Sequence, residues 1–143
     1  MDPSSSKADQ TIKAEHENFR KQISKEEDDP LSPYEKYIRW LMGFEVDNPR
    51  TGVSLELLTI LEETCRKFKD DYGYRGDLRF LKIWLTYAQR VENPDHIYVY
   101  LLKHGIGTIY AHLYEDYATS LESKNRYDRL CDIFYPGLTL LQV

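Results

Sequence analysis

A glycine-rich turn near the middle of the chain is the first feature whose residue types could do chemistry. Gly105-Ile106-Gly107 invites comparison with a phosphate-binding loop, in which backbone N–H groups cradle a nucleotide. The third glycine of that motif is missing, and no strand-like segment precedes the turn. We interpret the turn as structural: a glycine ends one helix, Ile106 enters the core, and Gly107 permits a tight start to the next helix. No nucleotide or other cofactor is predicted.

Histidine, cysteine and acidic side chains could hold a metal or act in catalysis. His96, His104 and His112 show no cysteine or carboxylate partner in a zinc-ligand pattern, so we expect surface or packing roles for them. Cys65 and Cys131 lie far apart within apolar helical patterns, which predicts buried, reduced thiols. Paired acidic residues fit solvated helix faces. The sequence therefore predicts no catalytic residue and no metal site.

Tyrosines carry the functional hypothesis instead. The chain of 143 residues contains 12 tyrosines, and aromatic residues make up 13% of it. A tyrosine ring packs well on a half-buried face while its hydroxyl stays in water. We expect most of the rings in the core and a minority on the surface, where they could anchor a bound peptide.

The charge balance indicates which partners are unsuitable. The formal net charge is -5, and acidic and basic residues are mixed along the chain. This balance argues against nucleic acid or an anionic membrane as the main partner. No segment is apolar enough to span a bilayer, and no hydrophobic signal-peptide stretch opens the sequence. We expect a soluble, intracellular protein with a single domain.

All of the elements that position these residues are predicted to be helices. Residues 1–9 are expected to be disordered, residues 10–138 to form the helical domain, and residues 139–143 to form a short tail. The third helix is predicted from Val53 to Lys69. Its expected inner face contains Leu55, Leu58, Leu61, Cys65 and Phe68.

The starts and ends of several helices are marked by particular residues. Ser32 and Glu35 form the pattern of a capping box, which predicts the start of the second helix. Asp77 is predicted to cap the fourth helix. The sixth helix is expected to end near Glu122, and a final helix to start near Arg126.

An internal repeat predicts the architecture. Phe80-x-x-Ile83-Trp84-x-x-Tyr87-Ala88 in the fourth helix matches Tyr110-x-x-Leu113-Tyr114-x-x-Tyr117-Ala118 in the sixth, at an offset of 30 residues. Positions i, i+3, i+4 and i+7 share one helix face, as in the first helix of a tetratricopeptide-like (TPR) repeat. We predict an all-α, TPR-like right-handed stack of antiparallel helix pairs, with about three repeats. An ordinary helical bundle is the alternative.

Four separated strings resemble one family in the right order. They are DDPL followed by YEKYIRW at 28–40, YRGDLRFLKIW at 74–84, LLKHGIGT at 101–108, and YEDYA at 114–118. Together they resemble the N-terminal TPR-like homology region of the Bub/Mad mitotic spindle-checkpoint proteins, over roughly Asp28 to Leu138. Two features of the family are absent: His16 replaces the lysine of the Lys-Glu-Asn box of Mad-type members, and no kinase motif of Bub-type members occurs.

The resemblance implies a non-catalytic module that docks a short helical motif of a KNL-type kinetochore scaffold and helps to delay anaphase. Other checkpoint proteins and the anaphase-promoting complex are further implied partners, whereas nucleic acid and membrane are not. The implied location is the nucleus and the kinetochore, with a cytoplasmic pool outside mitosis. Whether the chain is Bub-type or Mad-type stays open.

The peptide-binding residues are predicted on one ridge of the stack. Tyr87 ends the fourth helix, and His96, Ile97 and Tyr100 share one side of the fifth. Phe134 in the last helix extends the ridge. The resemblance also implies scaffold contacts at the positions of four of these residues, namely Tyr87, His96, Ile97 and Phe134.

Two other functions remain possible from the sequence. One is a half-TPR scaffold of an RNA-processing complex, whose repeats also carry aromatics at this spacing. The net acidity and the four ordered strings disfavour it. The other is the excised targeting domain of a checkpoint kinase, since the parent protein could carry a C-terminal kinase domain.

Overall fold

The computed structural model describes residues 3–26, 28–49 and 52–134, with side chains described between Gln10 and Lys124. This part of the chain is all-α and TPR-like, as the sequence predicted. Successive helices are joined by short turns, so that neighbours run antiparallel. The helices are α1 (Pro3–Lys25), α2 (Leu31–Asp47), α3 (Val53–Phe68), α4 (Leu78–Ala88), α5 (Asp95–His104) and α6 (Ala111–Phe134), and a short 3-10 helix (Tyr72–Tyr74) precedes α4.

The core runs through the middle of the stack and is rich in aromatic rings. Tyr37, Phe80 and Tyr98 are the largest of the side chains that are almost completely buried. Phe68 contacts Phe80 edge-on, and Phe80 contacts Trp84 in the same way. These rings join α2, α3, α4 and α5 into one core, because each large aromatic side chain buries a large apolar area.

The inner face of α3 differs in part from the prediction. Leu61, Cys65 and Phe68 are buried as expected, whereas the side chain of Leu55 is 72% exposed. The buried stripe starts at Val53, and Leu55, two residues further along the chain, lies about 200° away around the helix axis and faces water. The face that α3 buries consists of Val53, Leu57, Ile60, Leu61, Thr64, Cys65 and Phe68.

Of the two predicted helix caps, the one at Asp77 is confirmed and the one at Ser32 is wrong. Asp77 caps α4 as expected: its carboxylate accepts a hydrogen bond from the Arg79 backbone N–H at 2.9 Å. The capping box at Ser32 is wrong, because α2 already begins at Leu31 and the first turn starts at Pro30. Proline fixes its φ near the helical value, which favours this earlier start.

Both terminal helices are longer than the sequence predicted. Helix α1 begins at Pro3 instead of near Gln10, within the segment that we expected to be disordered. Helix α6 continues from Ala111 to Phe134 without the predicted break after Glu122. The residues at the expected break are neither glycine nor proline, and each costs a helix only about 0.5 kcal/mol. The domain limits at 138 and 139–143 lie outside the described residues.

The glycine turn is structural, as we interpreted it. Gly105 and Gly107 both have φ of +70°, and the Ile106 side chain between them is completely buried. The Gly107 N–H donates a hydrogen bond to the Arg75 carbonyl oxygen at 2.8 Å. A Cβ on Gly107 would lie 2.5 Å from Cδ1 of Leu81, so glycine is required here for both conformation and space.

A charged pair joins the end of α2 to the end of α4. Both guanidinium N–H groups of Arg90 donate to the Glu45 carboxylate, at 2.8 and 2.9 Å. The Ser54 hydroxyl donates to the same carboxylate at 2.6 Å. The hydrogen bonds from Arg90, followed by that from Ser54, lower the pKa of Glu45 to about 2. The bidentate geometry makes this pair stronger than an ordinary surface ion pair.

We expect Glu45→Gln to reduce the free energy of unfolding by about 2 kcal/mol at pH 7. Because the pKa of Glu45 is lower in the folded state, its contribution is complete above the ordinary value of 4.5 and disappears as the pH falls to about 2. Urea unfolding at several pH values measures the difference between the variant and the original chain. Glu62→Gln, in an exposed pair with Arg66, is the control and should change little. A difference for Glu45→Gln that does not shrink in acid would contradict the prediction.

Candidate functional site

A shallow cleft of about 300 Å³ lies where α3, α4 and α5 meet. Helix α4 contributes Trp84 and Tyr87, which lie on one side because they are three residues apart. Helix α5 contributes Ile97 and Tyr100 at the same spacing. The cleft is lined by Glu62, Cys65, Arg66, Lys69, Trp84, Tyr87, His96, Ile97 and Tyr100.

Aromatic contacts fix the floor of the cleft. The Trp84 ring stacks on Tyr100 with the ring centroids 5.4 Å apart. Tyr100 in turn contacts the His104 ring at 4.2 Å. Trp84 is only 7% exposed, so it closes the floor and also belongs to the core. The rings hold each other in place, which gives a preformed surface with little side-chain entropy left to lose on binding.

The structure brings together four of the five predicted peptide-binding residues. Tyr87, His96, Ile97 and Tyr100 all line the cleft. His96 is exposed at its edge, whereas the other three are half-buried. Phe134 ends α6, but its side chain lies outside the described residues, so its place on the ridge stays a prediction.

Helix α3 supplies the part of the cleft that the sequence reasoning missed. Cys65 contributes to the floor, and Glu62, Arg66 and Lys69 form a charged rim. Glu62 and Arg66 form an ion pair one helical turn apart. The sequence signal for this rim was the basic pair Arg66 and Lys69, three residues apart and next to Cys65. The sequence could not show which helix packs beside this pair, so the pair could not be assigned to the cleft.

Burial controls the ionisation of groups in the cleft. It raises the pKa of Tyr87, with a smaller contribution from Glu62, and it also raises the pKa of Tyr100. Both hydroxyls are therefore protonated at neutral pH and can donate hydrogen bonds. Burial likewise raises the pKa of the Cys65 thiol, which keeps it protonated and a poor nucleophile. The arrangement suits binding of an apolar surface.

The histidine that replaces the lysine of the Mad-type box points into the stack. His16 is half-buried on α1, and its Nδ1 lies 2.9 Å from a carboxylate oxygen of Glu56 and contacts the Tyr37 hydroxyl. Glu17 and Asn18 are exposed. The three residues therefore do not present one common surface, since His16 attaches α1 to α2 and α3.

Within residues 3–26, 28–49 and 52–134, no group of three or more histidine, cysteine or acidic residues could hold a metal ion. No helix in the same ranges is both long and apolar enough to cross a membrane.

The fold and the cleft together define a class of protein: a TPR-like helical-repeat domain with a preformed, largely apolar cleft. The family model described as "Mad3/BUB1 homology region 1" matches residues 14–138. The chain belongs to this family, whose members include the Bub and Mad proteins of the spindle checkpoint. The predicted resemblance is confirmed.

Relatives in plants, fungi and animals share this region. The chain is 38% identical over 114 residues to the mitotic spindle checkpoint protein BUBR1 of Arabidopsis thaliana, covering 80% of this chain and 28% of that protein. It is 31% identical to the mitotic spindle checkpoint component mad3 of Schizosaccharomyces pombe, covering 77% and 35%. For the human mitotic checkpoint serine/threonine-protein kinase BUB1 beta the identity is 30%, covering 77% and 10%. The chain thus spans about a third or less of these relatives.

Solved structures agree with this assignment. A chain in the crystal structure of a mitotic checkpoint complex superposes with a TM-score of 0.73 at 28% identity, covering 87% of this chain and 63% of that chain. The N-terminal domain of the checkpoint component BUB1 gives a TM-score of 0.70 at 26% identity, covering 85% and 62%. The chain is therefore a spindle-checkpoint N-terminal domain of the Bub/Mad type. This homology region is non-catalytic, although some relatives are kinases.

Proposed function

We propose that this domain docks a short amphipathic helix of a KNL-type kinetochore scaffold in the cleft between α3, α4 and α5. The observation that carries the proposal is the convergence of Tyr87, His96, Ile97 and Tyr100 on one cleft. These residues come from two helices, and the family resemblance implies scaffold contacts at three of them, Tyr87, His96 and Ile97.

The chemistry of the cleft fits a helical ligand. Apolar side chains of the incoming helix would cover Ile97 and the edge of the Trp84 ring. The hydroxyls of Tyr87 and Tyr100 would stay at the boundary with water. Arg66 and Lys69 would lie beside the polar face of the ligand, where acidic groups are favoured. Docking of an amphipathic helix into an apolar groove is a common mode of peptide recognition.

Such docking would place the domain at the kinetochore during mitosis. There it would help checkpoint proteins to accumulate on unattached chromosomes and delay anaphase, with the anaphase-promoting complex as the restrained target. Nuclear localisation and a cytoplasmic pool outside mitosis belong to the same proposal. No cofactor, nucleic acid or membrane takes part in this mechanism.

A second candidate is the targeting domain of a longer checkpoint kinase. It is favoured by relatives such as human BUB1 beta, which are named as kinases and are much longer than this chain. In that case the cleft would dock the same scaffold helix and thereby bring a longer kinase to the kinetochore. The RNA-scaffold alternative is disfavoured, because the relatives described above are checkpoint proteins and the chain carries a net charge of -5.

A pull-down from mitotic cell extract tests the proposal. The immobilised chain is expected to retain a kinetochore scaffold protein, identified by mass spectrometry, and Ile97→Glu is expected to reduce the retained amount about tenfold. Val99→Glu is the matched control, because Val99 is also apolar and lies on α5 but is 51% exposed outside the cleft. Equal retention by Ile97→Glu and the original chain would refute the proposed location.

A further inference from the structure

A second groove lies between α2 and α4. Its volume is about 390 Å³, within the range of ligand-binding pockets. Helix α4 contributes to both sites, but with different faces. At about 100° per residue, Lys82 in the groove is separated from Trp84 and Tyr87 in the cleft by roughly 140–160° around the α4 axis. The groove and the cleft therefore open on different faces of α4, and their nearest members, Ile83 and Tyr87, are one helical turn apart.

The floor of the groove is apolar. Ile38 on α2 and Ile83 on α4 are each only 4% exposed and form its base. Leu78 is half-buried at one end, and Met42 is 38% exposed at the side. The flexible thioether of Met42 can adapt to the shape of a ligand. An incoming apolar side chain would therefore find a surface that excludes water.

The charged residues around the groove are mostly basic. Its lining contains Arg39, Arg79 and Lys82 against the single acidic residue Glu35, whereas the whole chain is acidic. Arg79 is held in place by Asp29 and Asp77 and is not free to bind a ligand. The cations that can respond to a ligand are therefore Arg39 and Lys82.

Arg39 and Lys82 can both pair with a carboxylate of a ligand at little cost. The Arg39 side chain is 76% exposed, and its pair with Glu35 spans one helical turn. Such pairs contribute only about 0.3–0.5 kcal/mol, so a ligand carboxylate can replace Glu35 at little cost. Lys82 is exposed and forms no ion pair within the described part of the chain.

We propose that the groove between α2 and α4 docks an acidic amphipathic segment of a partner protein. Its apolar side chains lie on Ile38, Met42 and Ile83, and its carboxylates pair with Arg39 and Lys82. This site is separate from the cleft, and it does not depend on the function proposed above.

The charge and shape of the groove favour an acidic amphipathic peptide over other ligands. An apolar floor with two adjustable cations complements a peptide that alternates apolar and acidic faces. Nucleic acid is a poorer fit, because the groove lining contains no aromatic ring on which a base could stack. A second copy of the chain is a poorer fit, because its acidic run at residues 26–29 includes Asp29, which already pairs with Arg79.

The test uses a designed peptide as the probe. A fluorescein-labelled helical peptide of about 16 residues carries leucines along one face and glutamates elsewhere. In fluorescence anisotropy, the variant Arg39→Glu with Lys82→Glu is expected to bind it about tenfold more weakly than the original chain. Lys36→Glu with Lys103→Glu changes the charge equally outside the groove and should have an effect below about twofold. A peptide with lysine in place of every glutamate should not bind.

The alternatives give distinct results. Tyr87→Ala with Ile97→Glu blocks the cleft and is expected to leave binding of the acidic peptide unchanged. If this cleft variant loses the acidic peptide while the groove variant keeps it, the second site is refuted. Absent binding of the acidic peptide, groove-dependent binding of an oligothymidylate in its place, or groove-dependent dimerisation in sedimentation equilibrium would also overturn the proposal.

Discussion

Combining Tyr87→Ala with Ile97→Glu is expected to weaken binding of the kinetochore-scaffold helix about 100-fold or more. Tyr87 and Ile97 face the same cleft from α4 and α5. The first change removes an aromatic anchor. The second places a carboxylate among apolar groups, where it would lose water on peptide binding without gaining a partner.

The affinity is measured by isothermal titration calorimetry with a synthetic peptide of the scaffold segment. Both residues are only half-buried, so the variant should keep its helical circular-dichroism spectrum. Tyr114→Ala with Val99→Glu makes the same chemical changes at positions that are 49% and 51% exposed outside the cleft. This control is expected to bind within about twofold of the original chain. Unchanged affinity in the cleft variant would show that the peptide binds elsewhere.

Gly107→Ala is expected to lower the free energy of unfolding by about 3–4 kcal/mol. Two costs add at this position. The first is the positive φ of +70°, which costs an L-residue about 1–2 kcal/mol. The second is steric, because the new Cβ would lie 2.5 Å from Cδ1 and 2.9 Å from Cγ of Leu81. Leu81 is completely buried on α4, and in a close-packed core its side chain can shift only by disturbing its neighbours.

Gly105→Ala separates these two costs. Gly105 has the same φ of +70°, but no atom lies within 4 Å of a Cβ built there. The free energy of unfolding of the Gly105→Ala variant should therefore fall by only about 1–2 kcal/mol. Urea unfolding followed by circular dichroism measures both variants. Equal losses would mean that the contact with Leu81 contributes nothing, and that conformation alone requires glycine in this turn.

The sequence alone determined the features that depend on residues near each other in the chain. The spacing of apolar residues predicted helices, because side chains at i, i+3, i+4 and i+7 share a face whatever the helix packs against. Asp77 marked a helix start and Gly105 a helix end, since their local conformations are set by their own chemistry. The four family strings are likewise local and identified the family, while the internal repeat predicted the TPR-like fold.

Tertiary structure decided which face of each helix is covered and by what. The repeat places Trp84 and Tyr114 at equivalent positions, yet Trp84 is 7% exposed and Tyr114 is 49% exposed. Helix α4 has neighbours on both sides, whereas no helix follows α6 in the part of the chain that the structure describes. A periodic pattern shows that a face is apolar, but burial requires a second surface that is distant in sequence.

The same reason explains the two binding surfaces. Tyr87 and Ile97 could be grouped from the sequence because α4 and α5 are consecutive. The rim residues Arg66 and Lys69 could not be assigned, since the direction that α3 faces is set by its packing against α2 and α4. The groove between α2 and α4 exists only because α3 brings these two helices together across the 30 residues of chain that separate Asp47 from Leu78.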